Sequence, residues 1–476
     1  MKNIISDLYN LNRCLLGEGY DNALLWINKL IPLDIIEIPS GTKIETWEVP
    51  QEWIVKDAWV KFNGEKIIDY KKDPLSLTIN SIPVHGIVNR EELKKHLSYS
   101  DDRPDAFSYT YKYYENDWGF SLPKNKFKKK IEQACEGGVC VPELKKIDPL
   151  VGKIQIQGQD YSLKYEDLLK EGDYEVFIDT EFKPGTMKIG VHTILGKEIG
   201  TIMPAMVSIP PSYIKIPNKE ILLFAHLDHP FQANDNLSGV ACLIDLAKQI
   251  KEKNFDHTVK LIFCPETIGS IAYIKTQDVS NVDFVIALDA IGNNNTLLIQ
   301  KAFNETARIN YAVHLATSWQ GVSYRKGQFR LLLGSDEYPF NDPTIGIPGV
   351  LLSRYPYKEY HTSEDTPEII NEEKLKEVQK VILKTIEIYE KDFIPIRNFK
   401  LPLMRTKYGM HSDSRMLNRD LDLLYFLMDG KKYLSEIIMP LGLSFDYGLE
   451  SVKKLEENDL ISRFNNSKTR KHKAKG

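Results

Sequence analysis

The sequence has little cysteine. Five cysteines in 476 residues are an odd and sparse set, which argues against a secreted disulfide framework. Cys135 and Cys140 lie close together in CEGGVC. Their four-residue spacer differs from C-x-x-C, and no second cysteine or histidine pair lies nearby, so we interpret them as loop thiols rather than a metal or redox site. This cysteine usage predicts a reducing, cytoplasmic location.

Long apolar runs and a charge excess of one sign are also lacking. No stretch of about eighteen apolar residues could span a membrane, and the first thirty residues do not resemble a signal peptide. The formal net charge is only −4, with 42% hydrophobic residues. These properties are typical of a globular enzyme and exclude bulk binding of nucleic acid.

The length of the chain predicts two to four domains. The pattern of apolar and polar residues also changes several times along it. Amphipathic helical spacing comes first, followed by short aromatic and β-branched runs cut by Pro and Gly, and then by alternating strands and helices. A Pro-containing linker and three short amphipathic helices come last. We therefore expect N-terminal helices packing on the catalytic core (1–42), a β-rich accessory domain (43–150), an α/β core (151–395), a winged-helix-like module (405–465) and a basic disordered tail (466–476).

The core segment predicts an α/β fold with a mostly parallel sheet flanked by helices. Its strands ILLFAHL, TVKLIFCP and VDFVIALDA alternate with helical segments, a pattern typical of a sheet covered on both faces. In such sheets, functional groups lie at the carboxyl ends of the strands. Chemistry-bearing residues at these ends are therefore the candidates for a site.

The first strand end carries His226 and Asp228, in AHLDHP. Asp235 follows at the start of the next helix, in QANDNLSGV. An Asp or Asn at that place is most often a helix N-cap. A carboxylate beside a strand-end histidine is also how two metal ligands from one βα unit converge. Both interpretations of Asp235 stay open from the residues alone.

The next two strand ends carry Glu266 and Asp289, and an acidic group at the end of an apolar strand is costly unless it is paired or metal-bound. His361 lies in YHTSEDTPE, where Thr366 and Pro367 predict the N-cap and first turn of a long helix. Imidazole together with carboxylate favours zinc, with cobalt or manganese as substitutes.

Taken in order, HLD, ANDNLSGV, PE, ALDAIG and YHTSEDT resemble the zinc aminopeptidase family with co-catalytic metals, which also includes glutaminyl cyclases. The resemblance covers roughly residues 205–390. The flanking β-rich and helical segments look like those of a bacterial subgroup of uncharacterised aminopeptidase-like proteins.

The resemblance implies a role for each matching residue. It implies His226 and Asp289 as ligands of one metal, His361 as a ligand of the other, and Asp235 as the carboxylate that bridges them. It implies that Asp228 orients His226 from behind.

The sequence departs from the family at one position. Relatives carry two adjacent glutamates, the first as general base and the second as a metal ligand, whereas Glu266 is flanked here by Pro265 and Thr267. Alignment of the strand favours Glu266 as the base, and a shift of one residue makes it the ligand. Glu337 is one candidate for the missing ligand, and Asp336 matches a structural position of the family.

Outside the core, two features have competing interpretations. The aromatic residues of SYTYKYYENDWGF line a substrate entrance or, as we favour, form the core of the β-rich domain; His85 and Arg103 are candidates for substrate recognition. The C-terminal module and its basic tail suggest DNA binding. Its acidic second and third helices instead favour a protein partner or a homo-oligomer.

The sequence thus predicts a metal-dependent hydrolase with one or two zinc ions, which cleaves a peptide or amide bond of a small substrate with activated water. Two alternatives remain. One is an aminoacyl cyclase or deacylase that acts on a non-peptide amide. The other is a metal-binding regulatory or partner-binding protein with lost or altered activity.

Overall fold

The structure is a computed structural model, which describes residues 1–130, 154–156, 159–161, 165–167, 169–197, 200–202, 213–215, 219–410 and 415–464. The two clustered cysteines and the basic tail lie outside the described residues. Within the described part of the chain, no helix combines the length and the apolar character needed to cross a bilayer.

Helices and strands alternate most regularly between residues 220 and 397. The described α-helices are α1 (Lys2–Tyr9), α2 (Glu18–Leu30), α3 (Arg90–Lys95), α4 (Lys124–Phe127), α5 (Ser238–Lys253), α6 (Ile268–Thr276), α7 (Arg308–Trp319), α8 (Glu372–Lys391), α9 (Arg415–Leu427), α10 (Leu434–Ile438) and α11 (Phe445–Glu456). The described strands are β1 (Asp34–Pro39), β2 (Lys43–Ile44), β3 (Trp47–Glu48), β4 (Glu52–Phe62), β5 (Glu65–Asp69), β6 (Val84–Asn89), β7 (Leu97–Ser98), β8 (Phe120–Ser121), β9 (Lys128–Lys130), β10 (Ile154–Ile156), β11 (Gln159–Tyr161), β12 (Tyr165–Asp167), β13 (Asp173–Lys183), β14 (Thr186–Ile194), β15 (Gly200–Ile202), β16 (Tyr213–Lys215), β17 (Glu220–His226), β18 (Thr258–Cys264), β19 (Val282–Asp289), β20 (Leu297–Gln300), β21 (Tyr324–Gly327), β22 (Gly349–Ser353), β23 (Ile394–Arg397) and β24 (Ile461–Phe464).

The centre of the molecule is an eight-stranded sheet in the order β1-β14-β18-β17-β19-β22-β20-β21. Its four middle strands, β18, β17, β19 and β22, run parallel to one another. The expected mostly parallel α/β sheet is therefore confirmed. Because these strands share a direction, the ends of β17, β18 and β19 meet at one edge, and this edge carries the candidate residues.

The middle strands are buried on both faces, which explains why they read as continuous apolar runs. In β17, Leu223 and Ala225 contact the core that α1, α2, α5, α7 and α8 cover, whereas Leu222 and Phe224 contact the core under α6. The sheet is therefore packed between two apolar layers. Burial of this kind contributes roughly 25 cal/mol per Å² of apolar surface, and it holds the strands, and so their ends, in fixed positions.

A second, four-stranded sheet has the order β5-β4-β13-β6. As expected of the β-rich region, aromatic side chains form part of its core, among them Trp53, Tyr109 and Trp118. Strand β13 lies beyond the domain boundary placed at residue 150, yet it pairs with β4 over most of its length. The next strand, β14, joins the central sheet, so the chain passes from one sheet to the other between residues 183 and 186.

Near the C-terminus, α9, α10 and α11 occupy the places where three short amphipathic helices were expected. Strand β24 after them pairs with β23, which follows α8. The buried residues Leu424, Ile437, Val452 and Leu455 join the same apolar core as the helices of the central layer. This segment therefore packs on the α/β core through a continuous apolar contact.

The start of the long helix differs from the prediction. Thr366 and Pro367 begin a short 3-10 turn that ends at Ile369, and α8 starts only at Glu372. Its N-cap is Asn371, whose side chain accepts a hydrogen bond from the backbone N–H of Glu373. The prediction was wrong because the Thr-Pro pair initiates a turn as readily as an α-helix.

Candidate metal centre

His226 is the last residue of β17 and has no solvent-exposed surface. Its Nε2 lies 2.8 Å from Oδ1 of Asp235. On the other side of the ring, Nδ1 lies 3.3 Å from the Ser335 hydroxyl and 3.8 Å from Oδ2 of Asp336. The imidazole is thus oriented from behind and presents Nε2 to the interior of the site.

Asp235 lies in the irregular turn Ala233–Leu237 that precedes α5, where its own backbone is not helical. The capping contact belongs to the next residue, because Oδ1 of Asn236 accepts a hydrogen bond from the backbone N–H of Gly239 at 3.2 Å. The Asp235 carboxylate faces the histidines instead. The structure therefore favours the ligand interpretation of Asp235 over the N-cap interpretation.

Asp365 fixes the turn that carries Asp235. Its Oδ1 accepts a hydrogen bond from the backbone N–H of Asn234 at 2.6 Å, and its Oδ2 accepts from the backbone N–H of Asp235 at 3.1 Å. The Tyr357 hydroxyl donates to Oδ2 at 2.7 Å. Burial raises the pKa of Asp365 to about 7, although these hydrogen bonds lower it. A buried carboxylate thus fixes the backbone of the turn that carries Asp235.

Three imidazoles surround the Asp235 carboxylate. Nε2 of His226 and Nδ1 of His229 both face Oδ1, the latter at 3.1 Å, whereas Nε2 of His361 faces Oδ2 at 3.0 Å. His226, His229 and Asp235 offer ligand atoms within 4.8 Å of one another. The structure thus brings together the predicted residues His226, Asp235 and His361.

His229 is the residue that the sequence interpretation missed. It is 5% exposed and comes three residues after His226 in the loop that follows β17. The signal was present in AHLDHP, which contains two histidines. Only the first could be assigned, because the second lies past the strand end and the direction of a loop side chain has no sequence periodicity.

Glu266 and Asp228 are joined by a backbone contact. Oδ1 of Asp228 accepts a hydrogen bond from the backbone N–H of Glu266 at 2.8 Å. Oε2 of Glu266 lies 3.5 Å from Nε2 of His229, and 27% of the Glu266 side chain is exposed. Asp228 therefore positions Glu266, while Ser335 and Asp336 are the groups behind His226. Glu266 lies at the mouth of the site, where a general base would meet water.

The residues considered for the missing glutamate have other partners. Oε2 of Glu337 accepts a hydrogen bond from the backbone N–H of Ser335 at 3.1 Å. The backbone N–H of Thr267 donates to Oδ1 of Asp336 at 3.0 Å. Burial raises the pKa values of Asp336 and Glu337 to about 7. These two carboxyl groups support the loop around the site.

Asp289 ends β19 and is 2% exposed. Burial, together with the negative charge of Asp235, raises its pKa well above the usual range. The pKa of Asp235 is held well below its usual range, because its contacts with the three histidines outweigh its burial. Burial lowers the pKa of His229, but the charges of Asp235 and Asp228 raise it to about 9. The site thus packs titratable groups of both signs together in a buried space.

Several buried atoms of the site have no hydrogen-bond partner among the described residues. They are Nδ1 of His229, Oδ2 of Asp235, Oδ1 of Asp289 and Nε2 of His361. Such atoms are rare in folded proteins unless they bind water or an ion. Two or more imidazole nitrogens with carboxylate oxygens form a donor set suited to zinc, so the residues fit a divalent metal.

The β-rich part of the chain forms one wall of the site. The backbone N–H of Tyr109 donates to the carbonyl of His361 at 2.8 Å, and the Tyr109 ring centroid lies 5.1 Å from that of His229 and 4.9 Å from that of His361. Arg103 forms ion pairs with Glu359 and Glu364 on the His361 loop.

The other aromatic residues of this segment divide between two environments. Trp118 is buried in the core, as expected, whereas Tyr111 and Tyr114 are 50% and 60% exposed. His85 lies on an exposed edge strand, with its ring against Phe177.

Residues 2–392 match the family model described as "Domain of unknown function (DUF4910)". The chain belongs to this family. A relative from Clostridium acetobutylicum, described as a "putative polysaccharide biosynthesis protein with aminopeptidase-like domain", is 29% identical and is matched over 96% of both chains.

Solved structures place the family fold among peptidases. A crystal structure described as a "putative peptidase" from Clostridium acetobutylicum has 28% identity and a TM-score of 0.71, covering 97% of this chain and 96% of that one. A zinc aminopeptidase from Bacillus subtilis has 14% identity and a TM-score of 0.52, covering 81% and 94% of the two chains. At that identity, the second similarity shows the fold alone. The aminopeptidase-like fold of this chain is therefore established.

Proposed function

We propose that this chain is a metal-dependent hydrolase of the aminopeptidase type, which cleaves a peptide or amide bond with water. One observation carries the proposal: three imidazoles face the buried Asp235 carboxylate at 2.8, 3.1 and 3.0 Å, at the carboxyl edge of a parallel sheet. Three histidines around one buried carboxylate are more than a structural ion pair needs. Clustered imidazole nitrogens and carboxylate oxygens are the kind of donor set that binds zinc.

A zinc ion held by these residues would polarise the scissile carbonyl and acidify water. The protein's own contribution is to place a base beside that water. Glu266 is partly exposed and its backbone is fixed by Asp228, so its carboxylate is free to accept a proton from water and to return it to the leaving amine. The buried surroundings strengthen each of these electrostatic interactions.

The proposal also covers the class of substrate that the site accepts. Tyr109 contacts the histidines, and the exposed Tyr111 and the partly exposed Glu266 lie near them, which suits a small peptide or amide. An aminoacyl cyclase or a deacylase would use the same ligands, so substrate profiling separates these enzymes. We further propose that the β-rich unit is an accessory domain and that residues 405–465 form a winged-helix-like module.

The proposal is tested by metal analysis together with hydrolysis of a panel of amino-acid anilides. Wild-type protein is expected to contain zinc and to hydrolyse some members of the panel. Glu266→Gln should still bind zinc, because the Gln amide oxygen can take the place of the carboxylate oxygen that lies 3.5 Å from Nε2 of His229. It should lose about 10²- to 10⁴-fold in kcat, the usual contribution of a general base. Glu305→Gln is the matched control, because Glu305 is exposed and lies outside the site.

A regulatory or partner-binding protein is the rival from another class, and its support is the single glutamate at the position of the family pair. A wild-type protein that contains zinc but turns over no amide would favour this rival. Equal turnover by wild type and Glu266→Gln would contradict the assignment of the base, and a protein without any metal affinity would contradict the whole proposal.

A further inference from the structure

We infer that the tight metal position of this site is formed by His226, His229 and Oδ1 of Asp235, with His229 as the ligand that makes up for the missing glutamate. The inference rests on the proposed function and deepens it. It also says that one ion is bound tightly, and that His361 is not required for that ion.

The first support is the direction of the His229 ring. Its Nδ1 points to Oδ1 of Asp235, the same oxygen that His226 faces, and it makes no well-aligned hydrogen bond within the described part of the chain. Ligands of one zinc ion at about 2.0–2.2 Å lie roughly 3–4 Å from one another. The separations of 2.8 and 3.1 Å between the two nitrogens and this oxygen are close to that range, so small shifts would admit an ion.

The second support is that the nitrogen facing away from Asp235 has a polar group near it in both histidines. Nδ1 of His226 lies 3.3 Å from the Ser335 hydroxyl, and Nε2 of His229 lies 3.5 Å from Oε2 of Glu266. In metal sites, a polar partner at the second ring nitrogen fixes the orientation of the histidine ligand. His229 therefore has the surroundings of a ligand.

The third support concerns Glu337, the candidate named for the missing ligand, and Asp365, another buried carboxylate near Asp235. Glu337 accepts from the backbone of Ser335, and Asp365 accepts from two backbone N–H groups and a tyrosine. Each would have to abandon buried hydrogen bonds to bind a metal, which costs about 1–3 kcal/mol per lost partner. His229 reaches the site without such a loss.

Charge balance explains why one ion is favoured. A neutral imidazole in place of a glutamate removes one negative charge from the ligand set, in which Asp235 is then the buried carboxylate. Less negative charge is therefore available to hold a second divalent ion. The guanidinium of Arg13, also fully buried and close enough to interact with Asp228 and Asp235, opposes a second ion further. His361, which faces Oδ2 of Asp235, would then belong to a second position that binds metal weakly.

Zinc titration of metal-free protein tests the inference without using activity. Wild type is expected to bind one equivalent tightly. His229→Ala should weaken this equivalent by about 100-fold or more, since loss of even an outer partner of a ligand costs 10- to 100-fold. His229→Glu should restore it, and His361→Ala should retain it. His257→Ala is the histidine control, because His257 pairs with Asp283 and Glu390 instead.

The absorption spectrum of the cobalt-substituted protein is a second readout, which responds directly to the ligands. His229→Glu should shift the visible bands of bound Co²⁺, whereas His361→Ala should leave them unchanged. Circular dichroism of each metal-free variant separates ligand loss from misfolding, and His229→Gln replaces any variant that does not fold. Undiminished tight zinc in both His229→Ala and His229→Gln would overturn the inference while leaving the hydrolase proposal intact. Wild type without zinc affinity would overturn both.

Discussion

At the scale of single residues, Arg13 is the charged side chain that fixes the loop from Leu227 to Gln232, which carries Asp228 and His229. It is fully buried between α1 and α2. Its Nη1 donates to the carbonyl of Leu227 at 2.7 Å, and its Nη2 donates to the carbonyl of Gln232 at 3.2 Å. Burial lowers its pKa to about 10 although the charge of Asp228 opposes the shift. Arg13 therefore remains charged at neutral pH and closes the loop that carries Asp228 and His229.

Replacing this guanidinium should be costly. Arg13→Met removes two hydrogen bonds from a charged donor, each worth about 1.5–3 kcal/mol, so we expect the free energy of unfolding to fall by roughly 3 kcal/mol or more. Urea denaturation measures the change. Lys29→Met is the control, because Lys29 is exposed at the end of α2. A loss no larger than that of the control would show that the loop does not need Arg13.

Tyr109 contributes to the site through packing. Its side chain is buried, and its ring lies over the imidazoles of His229 and His361. Tyr109→Ala should cost about 3–5 kcal/mol, as for other large aromatic truncations, whereas Tyr109→Phe should cost much less because the ring remains. Urea denaturation of the two variants provides the comparison. Equal stability would mean that the ring does not support the histidines.

At the scale of elements, His257 connects two strands and a helix. It precedes β18, and its ring nitrogens lie 3.2 Å from Asp283 on β19 and 3.0 Å from Glu390 on α8. Burial lowers the pKa of His257, but the hydrogen bonds to these two carboxylates outweigh it and raise the pKa above 6.5. The protonated ring thus stabilises the packing of α8 on the sheet.

This contact predicts a pH-dependent stability. Because the folded pKa of His257 is raised, its contribution is complete below about pH 6.5 and is lost as the pH rises through the folded pKa. His257→Gln should therefore lower the free energy of unfolding by about 1–3 kcal/mol at pH 6, and by less at pH 9. Urea unfolding at the two pH values measures the difference. The same loss at both would contradict the assignment of a charged ring.

Elements of this chain were predictable where a local pattern determines them. Strands β17, β18 and β19 are continuous apolar runs that end in His226, Cys264 and Asp289, and the parallel arrangement brings these ends together. The start of α8 was not predictable from Thr366 and Pro367, since a turn and a helix share the same opening residues. The pairing of β13 with β4 was not predictable either, because it joins segments more than one hundred residues apart and leaves no local signal.

In the site, too, the residues that a local sequence motif determines were predictable, and the one that depends on distant contacts was not. His226, Asp235 and His361 converge as the motif order implied, because each is held at the end of a regular element or at a fixed turn. His229 was missed, since the direction of a loop side chain depends on contacts such as those of Arg13 with the loop backbone. Contacts made across the fold, and not the motif, bring the His229 ring to Asp235.

At the scale of the whole molecule, the site joins parts of the chain that are distant in sequence. His226 belongs to the sheet, Asp235 to the turn before α5, and His361 to a loop that the β-rich part contacts through Tyr109. A metal bound to these residues in the folded state alone would stabilise all of these parts at once. The buried carboxylates and imidazoles would otherwise remain imperfectly paired.

Zinc should therefore raise the thermal stability of the entire chain. A ligand that binds only the folded state adds about 2.7 kcal/mol at one hundred times its Kd, so we expect the Tm of chelator-treated protein to rise by a few degrees when zinc is restored. Differential scanning calorimetry measures the shift. Asp235→Asn, which removes the carboxylate shared by the histidines, should unfold at the same Tm with and without zinc. If this variant gained the same stability as wild type, the ion would be bound elsewhere on the surface, and the histidines around Asp235 would be a structural cluster rather than a metal centre.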